Sequence, residues 1–124
     1  MDYNKMINKI IEKTEDETLK WQRISSVPNS IVLSAENVTK VFYTEINKQM
    51  RFYLIEFSYY AYSLEFDEKY IDYSIRGSFI QDNTEIEFFG RGDLITPNKM
   101  NELLELVMEK CFNKESQFND FLES

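Results

Sequence analysis

Apolar residues recur at the three-to-four spacing of a helix near both ends of the chain, with polar residues between them. At the N-terminal end this pattern runs from Tyr3 to Thr14 and stops at the acidic cluster 15–17. At the C-terminal end it follows Thr96 and Pro97, which supply a capping hydroxyl and a proline at the first helical position. An amphipathic helix is therefore predicted at each end, with a further short helical turn at 116–122.

Between the helices the pattern changes to the alternation typical of strands. A loop is predicted at 25–30, because Pro28 continues neither a helix nor a central strand. Residues 31–89 are rich in β-branched and aromatic side chains and contain no proline. The candidate strands lie at 30–35, 39–46, 50–58, 59–66, 70–77 and 84–89. Alternatively, the third and fourth of these segments form one long bent strand.

The connections between these strands are short, which favours hairpins and excludes βαβ crossovers. Two amphipathic helices beside an antiparallel sheet bury their apolar stripes most simply against one face of that sheet. We therefore expect a single α+β domain spanning residues 1–124, built from an antiparallel meander of about five or six strands with both helices on one face.

Trp21 lies just after the point where the first helical pattern stops. Leu19 and Trp21 there alternate with the polar residues Lys20 and Gln22. This alternation predicts that Trp21 is mostly buried and links the end of the first helix to the sheet.

Net charge narrows the range of partners. Twenty-two acidic residues against fourteen basic ones give a formal charge of −8, which repels phosphate backbones and anionic membranes. Neither direct nucleic-acid binding nor membrane association is expected. An acidic surface suits a basic protein partner such as a nuclease, a toxin or the nucleic-acid groove of another protein, although negative charge also keeps a small protein soluble. Cys111, the single cysteine, has no partner for an intrachain disulfide, which favours the cytoplasm.

Catalytic and cofactor chemistry find little support in the residue types present. The chain has no histidine, the residue most used for acid–base catalysis near neutral pH and the commonest zinc ligand. Gly90 and Gly92 lack the third glycine and the βαβ context of a phosphate-binding loop. We therefore expect no catalytic residues, no cofactor and no metal site, and the protein is not expected to be an enzyme.

Two alternative functions rest on particular charged side chains. Arg76 or Arg91, with an aromatic residue such as Tyr73, would suit a nucleotide-like small molecule held between the sheet and the C-terminal helix. Glu85 and Glu87 lie two apart on a strand, hence on one face, as a carboxylate-dependent enzyme would require.

The competing interpretation of the Glu85 and Glu87 pair is an exposed face of an edge strand. In that case Ile86 and Phe88 point inward to the core.

The segment 57–66 places aromatic rings on both faces of a strand. Alternation assigns four side chains to the core face: Tyr60, Tyr62, Leu64 and Phe66. Rings on the second face indicate either a protein-binding surface or a sheet that curls around a fuller core. The candidate interaction residues are Phe57 and Tyr59 on that face and Phe118, Phe121 and Leu122 near the C-terminus. Apolar surface of this kind predicts a homo-oligomer.

Several features follow one another in a recognisable layout of helix, loop, meander and helix. They are the opening helix, Thr14 followed five residues on by Leu19-Lys20-Trp21, the proline-containing loop, the meander, and a final helix with Leu103-Leu104-x-x-Val107. This layout resembles small proteins of low-G+C Gram-positive bacteria and of their phages and mobile elements. The resemblance implies a non-catalytic accessory protein of the immunity or inhibitor type, which would act through its aromatic sheet face and acidic surface.

Overall fold

Two helices flank the sheet along the chain, as the sequence pattern predicts. The computed structural model describes residues 2–31, 37–90 and 97–123, and side chains throughout these ranges except at 97 and 112–118. Helix α1 spans Tyr3–Glu15 and helix α2 spans Pro97–Glu123. Asp2 caps α1, because its carboxylate accepts a hydrogen bond from the backbone N–H of Lys5 at 3.0 Å. The short turn predicted at 116–122 is instead part of α2, which is one continuous helix of 27 residues.

Five strands form a single sheet between the helices. They are β1 (Trp21–Ile24), β2 (Asn37–Glu45), β3 (Met50–Ser63), β4 (Glu68–Gln81) and β5 (Thr84–Gly90). Each strand pairs antiparallel with the next along the chain, so the sheet order is β1-β2-β3-β4-β5. The predicted α+β class and antiparallel meander are confirmed.

Strand boundaries depart from the sequence pattern in three places. The segments 50–58 and 59–66 are joined in β3, which is the long-strand alternative. The segment after α1 is a strand that the pattern did not reveal: β1 pairs with β2, and Trp21 lies opposite Thr44. Of the strand predicted at 30–35, residues 30 and 31 form a turn and a bend, and the remainder lies outside the described residues.

The connection between β4 and β5 is a two-residue turn. Asp82 and Asn83 both have positive φ, at 52° and 62°. Two consecutive left-handed residues are the signature of a type I′ hairpin turn, and Asp and Asn tolerate this conformation better than most residues. The backbone preferences of Asp82 and Asn83 therefore set the register between β4 and β5 next to this turn.

The main core lies between the two helices and one face of the sheet. Its fully buried members include Ile7 from α1, Leu103 and Val107 from α2, and Phe52 and Phe89 from the sheet. Burial of this apolar surface is the main force that holds both helices on the same side of the sheet. We call this side the helix face.

Trp21 is only 3% exposed, which confirms its predicted burial. Its indole N–H donates a hydrogen bond to Thr14 Oγ1 at 3.0 Å, and the Thr14 hydroxyl donates to the Ile10 carbonyl at 2.7 Å. The indole also meets the ring of Phe52 edge-on, with the two centroids 5.9 Å apart. The start of β1 is thereby tied both to α1 and to the centre of the sheet.

A glycine in β4 lets two aromatic rings cross the sheet surface closely. A Cβ atom added to Gly77 would lie 2.7 Å from Phe52 Cζ and 3.0 Å from Phe89 Cζ. The missing side chain is therefore required for close packing of these two rings.

The opposite face of the sheet also carries a buried apolar cluster. Val41, Tyr53, Ile55 and Ile80 contribute to it from the strands, and Ile31 contributes from the segment after β1. We call this side the loop face. The chain itself covers part of the second face, which a sheet with helices on only one side would otherwise leave in water.

Candidate protein-binding arm

Among the described residues, the hairpin of β3 and β4 extends beyond the rest of the sheet. The last residue of β3 that pairs with β2 is Ser58, opposite Asn37. Residues 59–63 and 68–72 pair only with each other among the described residues, and the turn 64–67 closes them. We call residues 59–72 the arm. Each of its five-residue strand segments is about 17 Å long.

Large apolar side chains of the arm are exposed to solvent. Tyr60 is 74% exposed and Leu64, in the turn, is 89% exposed. The full set of exposed large apolar side chains in the arm is Tyr60, Tyr62, Leu64, Phe66, Tyr70 and Ile71. Single exposed apolar residues are ordinary, whereas six of them on one short hairpin are typical of an interaction surface.

The predicted burial of Tyr60, Tyr62, Leu64 and Phe66 is wrong. The alternation itself holds, because Tyr60 and Tyr62 lie on the same face of β3 as the buried residue Phe52. The described side chains of the helices cover this face over its proximal part, however, so the same face is core at one end and water-exposed at the other. Leu64 and Phe66 lie in the turn rather than in a strand.

The arm is acidic as well as apolar. It carries four carboxylates, Glu65, Asp67, Glu68 and Asp72, against a single basic residue, Lys69. Glu65, Asp67 and Glu68 lie at or beside the turn and are exposed. Apolar contact area and negative charge are therefore combined at one end of the molecule.

Phe57 and Tyr59, the sheet residues predicted to bind a partner, are half-buried on the loop face. Their ring centroids are 6.4 Å apart, and the Tyr59 hydroxyl donates a hydrogen bond to Asp72 Oδ2 at 3.1 Å. The structure brings these two residues together at the base of the arm, where they brace β3 against β4.

The C-terminal candidates lie at the end of α2. Phe121 and Leu122 are 73% and 65% exposed, and the side chain of Phe118 lies outside the described part of the chain. Phe121 and Leu122 form a second exposed apolar group, separate in sequence from the arm.

The structure does not bring Arg76 and Tyr73 together as the ligand-binding alternative would need. They point to opposite faces of β4, since Arg76 pairs with Ile55 and Tyr73 with Ser58. Arg91, the other candidate, lies outside the described residues.

Arg76 is engaged by neighbouring side chains on the loop face. Its Nη2 lies 2.7 Å from Glu85 Oε1 and 2.9 Å from Oε2, and Nε donates to Ser78 Oγ at 3.2 Å. Its guanidinium also stacks over the ring of Phe88, 4.2 Å from the centroid. These contacts satisfy much of the hydrogen-bonding capacity that an anionic ligand would need.

The expectation that Glu85 and Glu87 share a face is wrong, because β5 contains a bulge. Glu87 pairs with Phe79, but Glu85 pairs with the next residue, Ile80, so Ile86 is an extra residue. The bulge sends Glu85 to Arg76 on the loop face and Glu87 to the helix face, where it accepts a hydrogen bond from the Tyr3 hydroxyl at 3.0 Å.

The inward orientation expected for Ile86 and Phe88 is also wrong. Their exposed fractions are 51% and 52%. Phe88 lies on the loop face, where its ring contacts Arg76. Ile86, the extra residue of the bulge, is exposed to solvent.

The described residues contain neither a metal-binding cluster nor a helix able to cross a membrane. Cys, Asp and Glu side chains there form no group of three placed to hold a metal ion. Neither helix, over its described length, has the apolar stretch that crossing a membrane requires.

Comparison with protein-family models, with curated proteins and with solved structures finds no match for this chain.

Proposed function

We propose that this chain is a non-catalytic interaction protein and that the arm is its principal binding surface. The observation that carries the proposal is the group of six exposed apolar side chains on residues 59–72. Aromatic residues are enriched at protein interfaces because each supplies a large contact area for little lost rotamer entropy.

The arm's construction supports binding rather than a purely structural role. A two-stranded ribbon that lacks further strands is marginally stable by itself in water. Exposed Tyr60 and Ile71 lie opposite each other on the helix face of the ribbon, where a partner would bury both. A bound protein would supply the covering layer that the helices supply for the rest of this face.

Charge defines the kind of partner surface. The arm has four carboxylates and one lysine, so a complementary surface combines apolar residues with Lys or Arg. A phosphate backbone offers no such match, because both the arm and the whole chain, at −8, are negatively charged. A basic protein, such as a nuclease or toxin, fits this description, and so does a basic patch on a second copy of the chain.

Within the class of interaction proteins, we propose an inhibitor or immunity type from a phage or mobile element, which acts in the cytoplasm and self-associates. The layout of the sequence and the acidic charge support the first point, and the single cysteine supports the second. The exposed apolar arm supports self-association.

The geometry lends less support to the other two functions. Arg76 already pairs with Glu85, and Tyr73 lies on the other face of the strand from Arg76. Glu85 and Glu87 lie on opposite faces of the sheet. Their carboxylates therefore point away from each other and do not act together on one substrate.

A photo-crosslinking amino acid in place of Phe66 tests the proposal in cells of the native host. The same crosslinker in place of Glu105, an exposed residue of α2, serves as the positional control. We expect one or a few defined adducts from position 66 that are absent from position 105, each identified by mass spectrometry.

Binding of the purified partner then gives the quantitative test. The Leu64→Ser, Phe66→Ser double variant should lose at least about 30-fold in affinity, as expected when interface anchors are removed. The matched control is Val38→Ser, Ile86→Ser, which removes two exposed apolar side chains outside the arm and should bind as the wild type does. Unchanged binding and unchanged cellular activity in the arm variant would refute the proposal.

A further inference from the structure

An apolar groove with a lysine rim lies at the opposite end of the molecule from the arm. It is lined by the apolar side chains of Met6 and Ile10 in α1 and by Leu19, Ile46 and Phe79. The groove is open along α1 and its volume is about 1190 Å³. Ile46 follows β2 and Phe79 is near the end of β4, so the groove lies at the end of the sheet away from the arm's turn.

The rim of the groove carries three lysines against two carboxylates, whereas acidic residues are in excess over the chain as a whole. Lys5, Lys9 and Lys13 follow one another at intervals of four residues and so form one line along α1. Asp2 and Glu12 also border the groove, and Lys13 lies 4.0 Å from the Asp16 carboxylate, so the lysines outnumber the carboxylates there only slightly. A chain of net charge −8 nevertheless presents a line of three lysines directly beside an apolar surface.

The arm's turn has the complementary chemistry. Leu64 and Phe66 supply exposed apolar side chains, and Glu65, Asp67 and Glu68 supply carboxylates with no lysine or arginine among residues 64–68. An apolar, acidic tip therefore matches an apolar groove with three lysines on its rim in the two properties that govern protein association, buried apolar area and opposite charge.

One chain cannot make this contact with itself. Phe52, which pairs with Phe79 at the groove end, and Ser63, next to the turn, are both in β3. Ser63 is eleven steps along the extended strand from Phe52, which corresponds to about 36 Å. The occupant of the groove must therefore come from another molecule.

We propose that the groove along α1 receives the arm of a second copy, in a two-fold pair in which each arm occupies the groove of the other chain. Placing tip and groove at opposite ends allows two antiparallel copies to make two identical contacts, which closes the assembly as a dimer. The inference rests on the proposed function in that it uses the same arm, and it adds the surface that accepts the arm and the identity of one partner.

Charge reversal on each side of the contact tests this pairing. The groove variant is Lys5→Glu, Lys9→Glu, and the tip variant is Glu65→Lys, Glu68→Lys; all four positions are exposed. The mass of each protein is measured by light scattering and sedimentation at micromolar concentrations. We expect a dimer for the wild type and a monomer for each variant alone.

An equimolar mixture of the two variants is the decisive measurement. Its two contacts would join a lysine tip to a glutamate groove and a glutamate tip to a lysine groove, so the mixture should form a heterodimer with the wild-type mass. Lys20→Glu, Lys48→Glu is the matched control, with the same charge change at exposed positions outside the groove, and it should remain a dimer. Circular dichroism of each variant verifies that the fold is intact.

A monomeric wild type, a dimer that survives both reversals, or a mixture that stays monomeric would each overturn the pairing. None of these results would refute the arm as a binding surface for a different protein, since that proposal fails only if the Leu64→Ser, Phe66→Ser variant keeps its binding and cellular activity.

Discussion

The two halves of the β3–β4 hairpin are both rich in apolar residues but have opposite environments. In the proximal half, residues 50–58 and 73–81, Phe52 and Leu54 are fully buried beneath the helices. In the arm, Tyr60 and Tyr62 continue the same face of the same strand and are exposed. Alternation of apolar residues thus identifies a face of a strand, whereas the elements packed on that face decide whether it is core or binding surface.

The two halves differ because the described parts of β2 and β5 pair with the hairpin in its proximal half. Strand β2 pairs with β3 up to Ser58, and the described part of β5 pairs with β4 from Arg76 onward. Both helices pack over the region that these four strands share. Packing of the core accounts for the apolar residues of the proximal half, and we propose binding to a partner as the role of those in the arm.

Truncation of matched aromatic residues should give the largest contrast between the halves. Phe52→Ala should lower the free energy of unfolding by about 3–5 kcal/mol, because it opens a cavity at the centre of the core. Tyr60→Ala, on the same face of the same strand, should change it by less than about 0.5 kcal/mol. Urea unfolding followed by Trp21 fluorescence measures both, and equal losses would contradict the division into core and arm.

Trp21→Ala is expected to cost about 3–5 kcal/mol, because the indole is buried and joins α1 to the sheet. Trp21→Phe separates the two contributions, since it keeps most of the apolar volume but leaves Thr14 without its indole donor. Far-UV circular dichroism is the appropriate probe, because Trp21 is the single tryptophan. A Trp21→Ala protein with unchanged thermal stability would show that this residue does not brace the proximal half.

Enlarging a small side chain should also distinguish the halves, with a smaller effect. Gly77→Ala should lose about 1–3 kcal/mol of stability, because its methyl group would overlap the rings of Phe52 and Phe89. Ala61→Val in the arm should be tolerated within about 0.5 kcal/mol, since valine suits a half-buried strand position. Thermal unfolding of the two variants gives the comparison, and a tolerated Gly77→Ala would mean that the proximal half repacks easily.

The smallest expected effect concerns the turn that leads from α1 into the sheet. Hydrogen bonds from the Thr18 side chain and from its backbone N–H lower the pKa of Asp16 below 3.8. A depressed carboxyl pKa contributes stability above the unfolded-state pKa, and this contribution is lost as the pH falls through the folded-state value.

Asp16→Asn should therefore be slightly less stable than the wild type at neutral pH, and the difference should vanish in acid below 3.8. Urea unfolding of both proteins over this pH range provides the measurement. A difference that grows in acid would have the wrong sign for a stabilising carboxylate.

Sequence reasoning found most of the fold because it depends on local signals. The apolar stripe from Tyr3 to Thr14, the proline that begins α2 and the turn at Asp82 each determine an element from a few adjacent residues. The sequence pattern does not predict strand β1, because its four residues are too few for a clear alternation.

The strand pattern alone does not predict which aromatic side chains of the segment 57–66 are exposed. Tyr60 and Tyr62 are exposed, whereas Phe57 and Tyr59, the candidate interaction residues of this strand, are half-buried. A strand pattern gives two faces without saying which one a helix covers, or how far along the strand the cover reaches.

The carboxylate pair shows a second limit of sequence reasoning. Glu85 and Glu87 share a face only if β5 is regular, and a single extra residue at Ile86 places them on opposite faces. No local residue preference at Ile86 marks this bulge, because it depends on the register between β5 and its neighbour.

Composition and short-range periodicity are sufficient to predict the α+β class, the order of the helices and the long strands, the burial of Trp21 and the acidic charge. The three-dimensional structure is needed to show that, among the described residues, the β3–β4 hairpin extends beyond its neighbours, that Arg76 pairs with Glu85, and that the apolar groove and the acidic tip lie at opposite ends. These features depend on how far separate elements extend and where they meet in space, which is a property of packing between distant segments rather than of any one of them.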